Sequence, residues 1–95
     1  MSKYPRPKPK RLPEKLRQIR QELNYSQDEI LRALGLAETS NRSLISGFEL
    51  GTKEPPLPTL LRYARLSGIS TDILIDDELE LNLQNKKNKD ADNKY

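Results

Sequence analysis

SQDEILRALGL, residues 26–36, spells out a short amphipathic helix with both ends marked. Ser26 followed three positions later by Glu29 is a capping box, in which the hydroxyl accepts from the Glu29 amide while the carboxylate reaches back. Ile30, Leu31 and Leu34 form its buried side, and Gly35 suits the C-terminal cap.

The helical pattern continues outward in both directions. Upstream, Leu12, Leu16, Ile19 and Leu23 recur at the spacing of one helix face, and Asn24-Tyr25 breaks that helix. Downstream, the polar stretch from Ala37 leads to Asn41, which can cap a third helix with Leu44, Ile45 and Phe48 as its apolar face and Gly51 at its end. Pro55, Pro56 and Pro58 cross a rigid loop into a fourth helix, where Pro58 is tolerated in the first turn. Leu57, Leu60, Leu61 and Ala64 are expected on its inner face, with Gly68 ending it. Ser70 is expected to cap a fifth element carrying Ile73 and Leu74. The pattern predicts a compact all-α domain of five short helices over residues 12–75. Beyond it, Leu79, Leu81 and Leu83 alternate with polar residues. That period of two fits either a short, dimer-forming strand or a segment that continues a helix or packs loosely on the domain.

Charge is distributed unevenly along the chain. The net charge is +3, yet residues 1–11 (MSKYPRPKPKR) carry Lys3, Arg6, Lys8, Lys10 and Arg11 with no acid. Prolines alternate with those cations, so the segment reads as an extended, polyproline-II-like or disordered arm. Residues 12–75 balance eight basic against eight acidic residues, and from Asp76 onward six acids face four lysines. Residues 76–83 therefore form an acidic extension, and residues 84–95 (QNKKNKDADNKY) are expected to be a disordered tail. A basic arm can embrace nucleic acid or an acidic membrane surface, or be only a solubilising tail.

Composition excludes several function classes. No apolar run approaches the roughly 18–20 residues of a membrane span, and the N-terminus lacks a signal peptide's apolar region. Without cysteine there is no disulfide framework, so a cytoplasmic protein with no membrane partner is expected. Histidine is also absent, and no Gly-rich phosphate loop or metal-ligand spacing occurs, so no enzyme, cofactor or metal site is expected. Asp76-Asp77-Glu78 reads as a solvated helix end or linker rather than a catalytic pair.

Leu16, Ile19 and Arg20, then SQDEI at 26–30, Leu34-Gly35-Leu36, Ile45, Phe48-Glu49, Gly51, Pro55 and LLRYARLSGIS at 60–70 occur in the order and spacing of a known family. The run from Leu16 to Leu74 resembles the Xre-type, Cro- and phage-repressor-like helix-turn-helix family. That resemblance implies a sequence-specific transcriptional regulator that binds double-stranded DNA, as a homodimer on a palindromic operator, with its third helix in the major groove. A second function class is a protein-interaction module, such as an antitoxin-like protein that holds a protein partner through its C-terminal tail.

The sequence departs from the family at the turn, where Ala37-Glu38-Thr39-Ser40 are about four extra residues. They form a bulge that leaves the angle between the second and third helices intact, lengthen the third helix by a turn, or mark a domain that has lost base reading. Independently of the family, side chains near the N-terminal end of a helix in the major groove meet base edges. Here these are Asn41, Arg42, Ser43 and Ser46. Arg42 has a fork suited to guanine O6/N7 and equally to phosphate. Leu44 either touches a thymine methyl or packs against the inserted residues, and Gly47 stands where the family often places a longer polar reader. The resemblance assigns phosphate contacts to Gln27 at the amide end of the second helix and to Lys53 after the third. Arg6, Lys8, Lys10 and Arg11 of the arm are further candidates. Arg20 and Glu49 match a structural ion pair beneath the DNA-facing surface; exposed, such a pair would contribute under about 1 kcal/mol.

Overall fold

A computed structural model describes residues 9–81 and contains five helices: α1 (Leu12–Glu22), α2 (Gln27–Ala33), α3 (Arg42–Leu50), α4 (Leu57–Ser67) and α5 (Thr71–Ile75). The boundaries follow local chemistry. Both halves of the capping box form at α2, with the Glu29 amide 3.0 Å from Ser26 Oγ and the Ser26 amide 2.7 Å from Glu29 Oε1. Asn41 caps α3 by accepting from the Ser43 amide at 3.0 Å. Gly51 and Gly68 close α3 and α4 in the left-handed region. Ser70 stands at the start of α5, but its side chain makes no capping hydrogen bond.

The helices enclose one core of Leu12, Leu16 and Ile19 from α1, Ile30 and Leu31 from α2, Leu34, Ile45 and Phe48 around α3, Leu60, Tyr63 and Ala64 from α4, and Leu74 from α5. On α4 the inner face is rotated from the sequence expectation. Leu57 and Leu61 are exposed, whereas Thr59, Leu60, Tyr63, Ala64 and Ser67 are buried. Positions 60, 63, 64 and 67 form a stripe along one side of a helix, and Leu57 lies at its outer end. Leucine identity misled because Tyr63, not Leu61, fills the interior.

No strand forms at the C-terminal side among the described residues. Residues 76–79 make a turn in which the Leu79 amide donates to the Asp76 carbonyl at 3.0 Å, and Leu81 packs half-buried against the core. Leu83 lies outside the described residues.

The two ends of the domain are joined by a polar clasp where the sequence suggests only a solvated helix end or linker. Asp77 accepts the backbone amides of Lys10 at 2.9 Å and Arg11 at 3.0 Å, just before α1 begins. The Arg11 guanidinium returns the contact to the Asp77 carbonyl at 2.8 Å and to Glu80 at 3.3 Å. Beneath the clasp, Lys15 is only 1% exposed and its ammonium donates to the carbonyls of Ile73 at 2.6 Å and Asp76 at 2.9 Å. Those acceptors lie at the C-terminal end of α5, where unpaired carbonyls and the negative end of the helix dipole offset a buried cation.

Two outcomes follow from this packing. The Tyr63 hydroxyl is buried without a hydrogen-bond partner, and burial, helped by the nearby Glu49 charge, drives its ionisation above the ordinary phenol range. Tyr63→Phe removes a desolvated hydroxyl at constant shape, so thermal unfolding should show unchanged or higher stability, by up to about 1 kcal/mol; a loss would reveal a partner. Backbone hydrogen bonds from Lys10 and then Arg11 hold the Asp77 carboxyl below its ordinary range. A depressed acid contributes stability above its unfolded pKa, near 4, and loses it as pH falls through the folded value. The Lys10 and Arg11 amide resonances should therefore shift together below about pH 4, and Asp77→Asn should abolish that transition.

Candidate nucleic-acid interface

α3 is held from below by an ion pair. Arg20 on α1 meets Glu49 on α3 through two contacts, Nε to Oε2 at 2.7 Å and Nη2 to Oε1 at 3.1 Å. Its remaining Nη1 donates to the Tyr25 carbonyl at 3.0 Å. The side chains are only 17% and 5% exposed, and the Glu49 hydrogen bond raises the Arg20 pKa further. Gln27, at the first position of α2, sends its amide toward the same Glu49 oxygen at a long 3.5 Å. One carboxylate thus gathers the side chains of three helices.

The outward side of α3 carries the residues singled out from the sequence. Asn41, Arg42 and Ser43 are exposed and Ser46 is half-buried. The Asn41 side chain is engaged in capping, since its Oδ1 accepts from both the amide and the hydroxyl of Ser43. Arg42 is 72% exposed, with Asp28 of α2 at 3.7 Å. That acid, not among the residues singled out from the sequence, sits beside the one fork-shaped donor at this end of α3. Its signal was the capping box itself, which enriches acids in the first turn of a helix.

The inserted residues leave α3 at its expected length. Ala37, Glu38 and Thr39 form a turn in which the amides of Thr39 and Ser40 donate to the Leu36 carbonyl at 3.2 and 2.9 Å. α3 begins only after Asn41, so the insertion is a local bulge and adds no helical turn. Leu44 packs half-buried against the core and lines a groove with Leu36, Ser40, Phe48, Lys53 and Thr59. Gly35, at φ 76°, ends α2 beneath Arg62 of α4, whose guanidinium donates to the Leu34 carbonyl. A Cβ at residue 35 would lie 2.6 Å from that guanidinium, so glycine serves both the turn and the contact.

Lys53 is exposed in the loop after α3. The basic arm emerges beside it: Pro9 shares a small cleft with Gly51, Lys53 and Pro55, and Lys10 borders a groove with Arg17, Gln18 and Leu50. Arg11 is engaged by Asp77 and Glu80, while Arg6 and Lys8 lie outside the described residues. Among the described residues no group of His, Cys, Asp and Glu side chains is placed to hold a metal ion, and no helix is long and apolar enough to cross a membrane.

Coupling between Arg20 and Glu49 is directly measurable. Arg20→Met or Glu49→Leu strands one largely buried charge and should cost about 3–5 kcal/mol, while the double variant should cost clearly less than the sum. Urea unfolding of all four proteins gives the coupling; two small, additive effects would show independent charges.

No curated protein and no solved structure matches the chain. The helix-turn-helix domain family matches residues 14–80, from the first turn of α1 to the clasp. That span covers more than two thirds of the sequence, and the chain belongs to the helix-turn-helix domain family.

Proposed function

We propose that this protein is a sequence-specific, DNA-binding transcriptional regulator of the Xre, Cro and repressor type, not an enzyme, that reads the major groove with α3. The observation that carries the reading is the exposed N-terminal end of α3, with Arg42 projecting from a helix whose opposite side is fixed to α1 by the Arg20–Glu49 pair. A helix held at a set bearing can present its first residues to base edges, and the arginine fork matches guanine O6/N7. Ser43 and Ser46 supply short hydroxyls able to bond bases or phosphates.

Phosphate contacts surround this end. The amide terminus of α2, Lys53 and the Lys10 side chain offer donors on separate elements, so a duplex against α3 would be gripped at several points. Such positioning contacts supply affinity, and base contacts supply specificity. Asp28 supports a selective role for Arg42. A carboxylate on a surface meeting DNA opposes non-specific attraction, yet it can orient a guanidinium toward a base or accept from cytosine N4. Dimeric binding to a palindromic operator belongs to the same proposal, because two-fold sites mirror two-fold proteins.

Selection of bound duplexes from a random pool tests the reading. The expected product is a two-fold-symmetric motif with half-sites about one helical turn, or a multiple of it, apart. On that motif Arg42→Ala should weaken binding by about 1–3 kcal/mol and reduce affinity for a scrambled duplex much less. Equal losses on both duplexes would make Arg42 a phosphate contact, and an unenriched pool would refute sequence-specific reading.

A further inference from the structure

Gly47 is an unfavourable residue for the interior of a nine-residue helix, where glycine loses more backbone freedom than alanine. The space above it explains its presence. A Cβ at residue 47 would lie 2.9 Å from both Cγ and Cδ of Lys53 and 3.2 Å from its Cβ. The aliphatic stem of Lys53 therefore rests on bare helix backbone, where any side chain would displace it. The main chain fixes the same arrangement. The amides of Thr52 and Lys53 both donate to the Gly47 carbonyl, at 3.0 and 3.1 Å, and the Thr52 hydroxyl reaches it at 3.4 Å. One carbonyl thus folds the loop back onto α3 and sets the point from which the lysine departs.

Lys53 is exposed, and its ammonium has no hydrogen-bond or ion-pair partner among the described residues. The contrast is with Arg42, which has Asp28 beside it. Ser43 and Gly47 are one turn apart on the same face of α3, so the lysine stem lies in line with a residue of the proposed reading surface. Its chemistry suits an anion rather than a base pattern, since an ammonium is a compact point charge without arginine's planar fork.

We propose that Gly47 is a positioning residue for Lys53: the missing side chain at 47 seats the lysine stem on α3 and presents its ammonium to a backbone phosphate of the bound DNA. Gly47 and Lys53 then form one anion-binding element, and the vacant side-chain position is what specifies it. The inference rests on the DNA-binding reading above and adds to it how one phosphate contact is built.

The test is fluorescence anisotropy of the full chain on a mixed-sequence duplex across a salt series, with thermal unfolding by circular dichroism alongside. Lys53→Met keeps the stem and removes the charge. It should flatten the slope of log K against log salt by about 0.9 per subunit and weaken binding about tenfold at low salt. Gly47→Ala keeps the charge but removes its seat, and should flatten the slope similarly although the protein still unfolds cooperatively. Gly47→Ala/Lys53→Ala, which also removes the two closest crowding atoms, Cγ and Cδ, should fold and bind no more weakly than Lys53→Met. If Gly47→Ala alone fails to fold while this double variant folds, residue 47 and the lysine stem occupy one space, as the seating requires; if both fail to fold, the vacancy at 47 serves something other than Lys53 and the seating is overturned. An unchanged slope for folded Gly47→Ala, or losses that add in the double variant, would overturn the seating. Wild-type protein with no salt-dependent affinity for duplex DNA would instead refute DNA binding itself, and the proposal with it.

Discussion

The carboxylate of Glu49 joins elements that are distant in sequence. It accepts two hydrogen bonds from Arg20, draws the Gln27 amide toward it, and lies close enough to raise the Tyr63 ionisation. α1, the start of α2 and α3 are thereby referred to one point just beneath the outward side of α3. Hydrophobic contacts among Ile19, Ile45 and Phe48 supply attraction without direction, whereas a two-point ion pair constrains rotation. A charged pair buried this deeply is a poor source of net stability, because desolvation offsets much of its Coulomb energy. Its value here is orientation: turning α3 about its axis would strand a carboxylate at 5% exposure.

With α3 constrained at that end, the segments on either side can vary without disturbing it. Residues 37–40 are absorbed in a turn that closes on the Leu36 carbonyl, and Asn41 restarts the chain as a capped helix. Arg62 reaches from α4 to the Leu34 carbonyl at the end of α2 and fixes the near side of that turn. After α3, the Gly47 carbonyl collects the returning loop. Each junction satisfies backbone groups that a helix end would otherwise leave unpaired.

The same economy governs the ends of the domain. Asp77 supplies an anion ahead of α1, whose N-cap residue Arg11 makes no side-chain capping hydrogen bond, and Lys15 supplies a cation to the carbonyl end of α5. A basic arm and an acidic extension, opposite in charge and 66 residues apart, are stapled at their roots. Arg11 is engaged in that contact, whereas Lys53 and Arg42 remain exposed on either side of α3. Just ahead of the clasp, Pro9 lies against the loop that follows α3.

Helix positions, caps and most of the core were legible in the sequence because they depend on local signals. Ser26 with Glu29, Asn41, Gly51 and Gly68 act within a few residues of themselves, and a 3.6-residue apolar period needs no knowledge of the partner surface. The pairing of Arg20 with Glu49 could be proposed only from a family resemblance, since nothing local relates two residues on different helices. Periodicity alone failed where two faces competed: α4 offered Leu57 and Leu61 as readily as Tyr63, and the docking of α4 against α1 and α5 chose between them. The burial of Lys15, the grip of Asp77 on the Lys10 and Arg11 amides, and the seat of Lys53 on Gly47 were beyond reach for the same reason. Each matches a polar group or a vacant side-chain position to a backbone brought near by the folded chain. Sequence determines which helices form and what they can bury; only their packing determines which charges meet, and which are left facing outward.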